Sequence, residues 1–420
     1  MARSRRAPIS WVVYDLANTI YSSIVVTLLI LPYVADILKA ATFASAANFI
    51  SMVAAGLVAP AFGEVTDRAG TSKRWLVVTT VVTCLACVLM SVAHFLAPPG
   101  VAVWVVLLSF AVANFCYQLS LVFYNSLLPG LVPPERVGFW SGLGVGVGYF
   151  GMTLGMVVVI VLGDIVGESA LGFAVAGALF LVLSLPLFAW VRERPASSSS
   201  VGAAVPRVSA ALKQSLGIWR NTLREPVARR FLLGNLCLTD VLNTTIFTFA
   251  HYCRKVFDGI ETPEDVAPAL IVLSLTAFPL GVASGWLSDR LGPKAGLILS
   301  AVSLAVALGA GVVMPAARFG TTVVFLGTFG AFGLAGIWTA GRALLVRIAP
   351  KEKIGEYFGM YGLTLKVSVF GALLFTLLAD LLPFADVALR HRIGLASGFL
   401  PLAIGLWLIG GLRVGAIGER

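Results

Sequence analysis

The chain has 420 residues, of which 59% are hydrophobic and only 12% charged, whereas a soluble domain carries roughly 25% charged residues. With a mean hydropathy of +0.95, no soluble core of this length hides the apolar surface, so the solvent is lipid. The net charge of +10 does not imply nucleic acid, because no basic stripe alternates with stacking aromatics. Apolar runs near span length, separated by Gly, Pro and charge, predict twelve membrane helices. They fall at 11–35, 43–65, 75–96, 101–128, 138–163, 169–191, 230–252, 266–288, 295–316, 320–346, 355–380 and 393–413.

MARSRR followed by apolar sequence from Trp11 imitates a secretory signal. Its apolar part is too long and many more follow, so it reads as an uncleaved first span. An even count puts both termini on one side of the bilayer. Lys and Arg then divide 22 to 6 in favour of the side that holds the termini, which the positive-inside rule makes the cytosol. Cys84-x-x-Cys87 lies in VVTCLACVLM with no His or acid nearby, so it reads as helix packing; no metal or cofactor is expected. The three His (His94, His251, His391) sit near span ends, and no nucleophile constellation or carboxylate pair suggests an enzyme. The loop HYCRKVFDGIETPEDV, with His251, Asp258, Glu261, Glu264 and Asp265, reads as a solvated acidic loop.

The longest inside loop, 192–229, opens with the Ser-rich PASSSS and continues as VSAALKQSLGIWRNTLRE. There Val208, Leu212, Leu216, Trp219 and Leu223 recur at helical spacing among Arg207, Lys213, Arg220 and Arg224. A basic amphipathic helix on an anionic inner leaflet fits this pattern, and a flexible linker fits its first part equally well.

Three echoes recur in one order. DLANTI (Asp15–Ile20) matches DVLNTT (Asp240–Thr245). GEVTDRAGTSK (Gly63–Lys73) matches GWLSDRLGPK (Gly285–Lys294). VPPERVGFWSG (Val132–Gly142) matches APKEKIGEYFG (Ala349–Gly359). They fall at the ends of spans 1/7, 2/8 and 4/10 with the same loop parity. A six-span unit has therefore been duplicated in parallel, about an axis along the membrane normal. The fold expected is all-α and integral to the membrane, with twelve helices in two pseudo-symmetric six-helix bundles. The first bundle covers 1–191, the cytosolic linker 192–229 and the second bundle 230–420.

Gly63, Asp67, Arg68, Gly70, Lys73 and Arg74 resemble the signature loop of major facilitator transporters between spans 2 and 3, and Asp289, Arg290 and Gly292 repeat it. The stretches WVVYDLANTIYSSIVVTLLILPYV, YNSLLPGLVPPERVGFWSGLGVGVGYFG and GRALLVRIAPKEKIGEYFGMYGL resemble the vacuole-effluxer branch, which includes many bacterial members. The resemblance implies a secondary transporter in the plasma membrane, with amino-acid efflux the activity attached to fungal members. Where that branch tends to read Gln-Ala-Leu-Ser-Arg-Ser, this chain has Trp338, Thr339, Ala340, Gly341, Arg342 and Ala343. The arginine is kept and its polar neighbours are lost.

Asp15, Asn18, Thr19 and Ser22 share one face of span 1, as Asp240, Asn243 and Thr244 do in span 7. In this architecture spans 1, 4, 7 and 10 line a central cavity, so the polar faces are expected to meet water or solute. Asn114, Tyr117, Gln118, Tyr124 and Asn125 form a polar stripe on span 4, lining a path or bonding between helices. Arg342 and Lys366 are the cations inside the bundle. With Asp15 and Asp240 they either grip a zwitterionic or anionic solute or pair as gate salt bridges. Proton coupling requires a carboxylate whose protonation follows its access to water; Asp240 is the first candidate and Asp15 the second. By the resemblance, Asp67 binds near the start of span 11 (Ile354, Gly355) in one state, with Arg136 close by. Asp289 mirrors it at the start of span 5 (Val137, Gly138), and Arg68 and Arg290 complete the two loops. Glu64, beside the first loop, reads as structural.

GVGYFG (Gly146–Gly151) fits a nucleotide-loop pattern but lies inside span 5 with no strand before it. Its glycines, with Gly142, Gly144 and Gly155, instead permit close helix approach. The reading is a monomeric, proton-coupled transporter of amino acids or similar zwitterions working by alternating access. An exporter of amphipathic drugs or metabolites, or a transporter-shaped receptor, is the alternative.

Overall fold

The structure, a computed structural model, describes residues 6–38, 42–166, 170–192, 208–260, 263–368, 370–383 and 386–413. Lys39, the PASSSS stretch with Arg207, Glu261 and residues 414–420 lie outside them, as do the side chains of Val208, Leu212, Glu264 and Asp265. The described residues hold twelve helices long and apolar enough to cross a membrane. They are Arg6–Leu29, Phe43–Ala69, Ser72–Leu96, Pro99–Leu131, Pro134–Gly155, Leu171–Trp190, Pro226–Phe249, Ala269–Leu291, Pro293–Val313, Ala316–Ile348, Lys351–Ala379 and Val387–Gly410, numbered here as spans 1 to 12. The fold is all-α, with no strand among the described residues. Lipid offers no partner to a backbone N–H or C=O, so each span satisfies its own backbone as a helix.

Local chemistry sets the helix ends. Pro99, Pro226 and Pro293 stand in the first turns of spans 4, 7 and 9, where a missing N–H costs nothing and a fixed φ favours the helix. Gly70 and Gly292, equivalent in the repeat, have φ of 65° and 88°. At the first, Thr71 N donates to Thr66 O at 3.1 Å, closing the end of span 2 around a left-handed residue. A side chain there is strained by about 1–2 kcal/mol. Gly292→Ala should therefore lower the thermal midpoint, whereas alanine at Gly100, which has a negative φ and open space around its Cβ, should leave it unchanged. Equal midpoints in a detergent melt would refute this account of the motif glycine.

Packing divides the chain into two compact units. The first comprises residues 1–134, 147–220 and 350–363; the second comprises 135–146, 221–349 and 364–420. Each unit thus borrows the first turns of a span whose remainder belongs to the other: span 11 begins in the first unit and span 5 in the second. The core of the first unit holds an aromatic column along span 1. Trp11 stacks on Tyr124 with centroids 4.4 Å apart, Tyr14 lies 5.1 Å from Tyr124, and Tyr21 lies 4.8 Å from Tyr117. In the second unit Phe231 and Leu238 of span 7, Leu304 of span 9, Phe375 of span 11 and Ile409 of span 12 are buried.

Candidate functional site

The two signature loops make the same construction in each unit. In the first, Gly63 of span 2 lies so close to the Gly355 carbonyl that no Cβ fits. One turn on, Asp67 Oδ2 accepts from Gly355 N at 2.7 Å and Glu356 N at 3.2 Å. In the second, Gly285 of span 8 meets the Gly138 carbonyl, and Asp289 accepts from Gly138 N and Phe139 N, both at 2.7 Å. The first turn of a helix has free N–H groups and a positive dipole end, which attract a carboxylate. The spacing Gly-x-x-x-Asp thus has a physical reason: the glycine brings the helices together, and the acid one turn later reaches the free donors.

The arginines of the two loops have different surroundings. Arg290 is exposed and sits 4.0 Å over the Trp286 ring. Arg68 pairs with Glu64 one turn back. The charges of Arg136 and Arg347 bear on Asp289, within the second unit, which holds residues 135–146.

Glu64 also binds the linker. Gln214 Nε2 donates to Glu64 Oε2 at 2.7 Å, and Ser215 Oγ accepts from Ala61 N at 3.3 Å, beside the ring of Pro60 within span 2. The linker helix, Val208–Thr222, therefore buries Ser215, Ile218 and Thr222, while Leu216 is 67% exposed. The buried residues are not those that the spacing picked out. Of that stripe Leu216 is exposed, as are Lys213 and Arg220, while Trp219 and Leu223 are half-buried.

Span 11 is broken. One helix ends at Val367 and the next begins at Phe370, and span 7 caps both loose ends. Asp240 accepts from Gly371 N through both oxygens, at 3.1 and 2.9 Å. Asn243 Nδ2 donates to the carbonyls of Leu365 (3.3 Å) and Ser368 (3.1 Å). The acid meets the positive end of one half-helix and the amide meets the carbonyl end of the other. Thr244 is buried there, its Oγ1 facing Gly371, and Lys366, in the last turn of the first half, is buried as well. Asp240 is thus engaged by backbone, where the spacing in span 7 suggested only a face open to water.

Asp15 and Asn18 are buried too, at 9% and 4% exposure. Asn18 Nδ2 donates to Asp15 Oδ1 at 3.0 Å and Thr19 Oγ1 to Asp15 O at 2.8 Å. This face of span 1 packs on the glycine stripe of span 5: a Cβ at Gly148 would stand 3.1 Å from Thr19 Oγ1. On span 4, Asn114 is fully buried and donates to Asn48 Oδ1 (2.9 Å) and Ser51 Oγ (2.8 Å) of span 2. Tyr117 and Tyr124 belong to the aromatic column, while Gln118 and Asn125 are half-buried. Asn114→Ala should cost about 1 kcal/mol of stability, the usual worth of such bonds in membranes. It should leave solute preference unchanged, as read by thermal unfolding beside competition uptake; a changed preference would put Asn114 in the path. Arg342, 7% exposed, reaches Ser141 O at 3.5 Å, and Ser141 Oγ donates to Thr339 O at 3.2 Å. Trp338 beside it is half-buried. Sequence reasoning did not find the partners Asn48 and Ser51, nor the outer pair His251 Nε2 to His391 Nε2 at 3.1 Å. Cys84 and Cys87 pack on Gly177.

Twelve spans with paired, acid-capped signature loops define a membrane transporter. The chain belongs to the major facilitator superfamily. Residues 16–259 match the profile "Major Facilitator Superfamily", and residues 140–385 match "Vacuole effluxer Atg22 like". It is similar to an uncharacterized protein of Aquifex aeolicus (27% identity, 88% of each chain) and to the uncharacterized MFS-type transporter YxiO of Bacillus subtilis (25% identity, 91% of this chain and 90% of that one). Its fold is similar to that of the human organic anion transporter MFSD10 (TM-score 0.74, 13% identity, 96% and 100% of the two chains). It also resembles the fold of a bacterial homologue of the iron transporter ferroportin in an outward-facing state (0.70, 16%, 97% and 99%). A third likeness is to the E. coli fucose:proton symporter FucP (0.70, 13%, 97% and 98%). Family and fold point to transport of a small-molecule solute and away from catalysis.

Proposed function

We propose that the protein is a monomeric secondary active transporter that carries a small polar solute, with amino acids or similar zwitterions first, by alternating access and coupled to protons. Bacterial relatives support a plasma-membrane location, and the basic bias of the loops supports cytosolic termini on an anionic inner leaflet. The observation that carries the reading is the pair of contacts at Asp67 and Asp289. Each joins a carboxylate to the open end of a helix, so it releases without unfolding either partner, as a contact made in one state and broken in the other must. The proton assignment rests on Asp240, an acid buried within the span and held by the backbone N–H of Gly371. One observation favours a second reading, the export of amphipathic compounds: half-buried Trp338 lies one turn before Arg342, which is flanked by the non-polar Gly341 and Ala343.

Purified protein in proteoliposomes with an imposed pH gradient and a labelled amino-acid mixture decides the matter. Accumulation that a protonophore collapses is expected. Binding without accumulation would make the chain a receptor, and chemical conversion of the label would make it an enzyme; either removes the transport reading.

A further inference from the structure

Two of the three histidines of the chain meet where span 7 ends and span 12 begins. His251 Nε2 lies 3.1 Å from His391 Nε2, with ring centroids 5.2 Å apart and the ring planes at 40°. Alternating spans put this place on the membrane face opposite the signature loop of Asp289. Nothing in the sequence pairs the two, 140 residues apart. His391 is 4% exposed, and its ring is fixed. Its Nδ1 lies 2.8 Å from Val387 O, and the Phe375 ring meets it edge-on with centroids 6.0 Å apart. A carbonyl only accepts, so Nδ1 carries the hydrogen and the lone pair of Nε2 faces His251. His251 Nε2 then supplies the hydrogen of the pair. The His251 side chain is exposed, and the next residue anchors its backbone: Tyr252 Oη donates to Gly311 O at 2.6 Å.

The hydrogen between the two nitrogens stands where a metal ion fits. Two imidazoles on one zinc ion, each at roughly 2.0–2.1 Å and at a tetrahedral angle, hold their nitrogens about 3.3 Å apart, close to the separation here. A backbone carbonyl on the other ring nitrogen orients a ligating imidazole, and Val387 gives His391 that carbonyl. We propose that His251 and His391 form a binding site for a divalent transition-metal ion of the zinc class, with water in its remaining positions. On binding, the ion takes the place of the shared hydrogen, and His251 carries that hydrogen on Nδ1 instead. Imidazole selects zinc, nickel or copper over magnesium and calcium, which prefer oxygen. Among the described residues no third His, Cys, Asp or Glu side chain joins the pair, so the site is weaker than a structural zinc centre with four protein ligands. The cations nearest in sequence leave it open. Arg392 donates to the carbonyls of Val312 and Met314 at the end of span 9; Arg254 and Lys255 are exposed, where water and salt screen them. The site stands whether or not the protein moves a solute.

Zinc chloride is the probe, titrated into the purified full-length protein in detergent without a histidine tag or a chelating buffer, and followed by calorimetry and thermal shift. One zinc ion per chain is expected, with a rise in the thermal midpoint that magnesium at the same concentration does not give. His251→Gln and His391→Gln should each weaken zinc at least about ten-fold, the low end of what even an outer partner of a metal ligand is worth. His94, whose Nδ1 meets Tyr33 Oη at 3.2 Å in the first unit, is the control: His94→Gln should bind zinc as wild type does. Should His391→Gln not fold, His251→Gln decides alone, because that side chain is exposed. A wild type that binds no zinc, equal affinity in wild type and His251→Gln, or the same loss in His94→Gln would overturn the proposal.

Discussion

Valine at position 63 or 285 should abolish transport in a chain that still folds. A Cβ on Gly63 would stand 2.7 Å from Glu356 N and closer still to the Gly355 carbonyl; on Gly285 it would stand 2.9 Å from the Gly138 carbonyl carbon. The colliding atoms are backbone, so neither helix yields by turning a side chain. Overpacking of this kind costs about 1–3 kcal/mol, and here the cost falls only on the state in which the acid-capped contact is made. A shift of that size against one of two states lowers the rate of a cycle through both by up to about a hundred-fold. Initial uptake rates per reconstituted protein, taken beside thermal melts, test it. Gly100→Val, with open space around its Cβ, should transport as wild type does. Wild-type flux in Gly63→Val would mean that the close approach is not part of the cycle.

The second large effect is expected at Asp240. Asp240→Asn should abolish gradient-driven accumulation, a loss of at least about ten-fold, and leave solute exchange partly intact. Asparagine keeps the shape and an acceptor for Gly371 N but carries no charge to gain or lose. Asn243→Ala should behave differently: the carbonyls of Leu365 and Ser368 lose their donor, span 11 loosens, and accumulation and exchange fall together. Uptake with and without a pH gradient, compared with counterflow, separates the two patterns. If wild type and Asp240→Asn respond alike to the gradient, the proton does not work through this residue.

The spans, their number and the duplicated half were legible because each is a local property: an apolar run of span length, or a motif recurring in order. The signature acids were legible for the same reason, since Gly-x-x-x-Asp joins close approach and capping within one turn. The break in span 11 was not. LKVSVFGALLF holds no proline and reads as one apolar helix; what ends the first half is a pair of caps from Asp240 and Asn243, more than 120 residues away. The polar face of span 1 was found by its spacing, but its neighbour, the glycine stripe of span 5, lies in a distant stretch of chain. In the linker, helical spacing singled out the large apolar residues, whereas the buried ones are Ser215, Ile218 and Thr222, and it is the small Ser215 that meets the backbone of span 2. Arg136 followed the first turns of span 5 into the second unit, which no local pattern announces.

The most direct measurement of the central claim is the distance between spin labels at Arg74 and Lys353, both outside the helix contact of Gly63 and Gly355. Two distance populations whose ratio moves with a pH gradient or with solute are expected, the shorter one strengthened when Asp67 keeps its hold on the start of span 11 and lost in Asp67→Ala. A single unvarying distance in lipid, whatever solute or gradient is applied, would contradict an acid-capped contact that makes and breaks during transport.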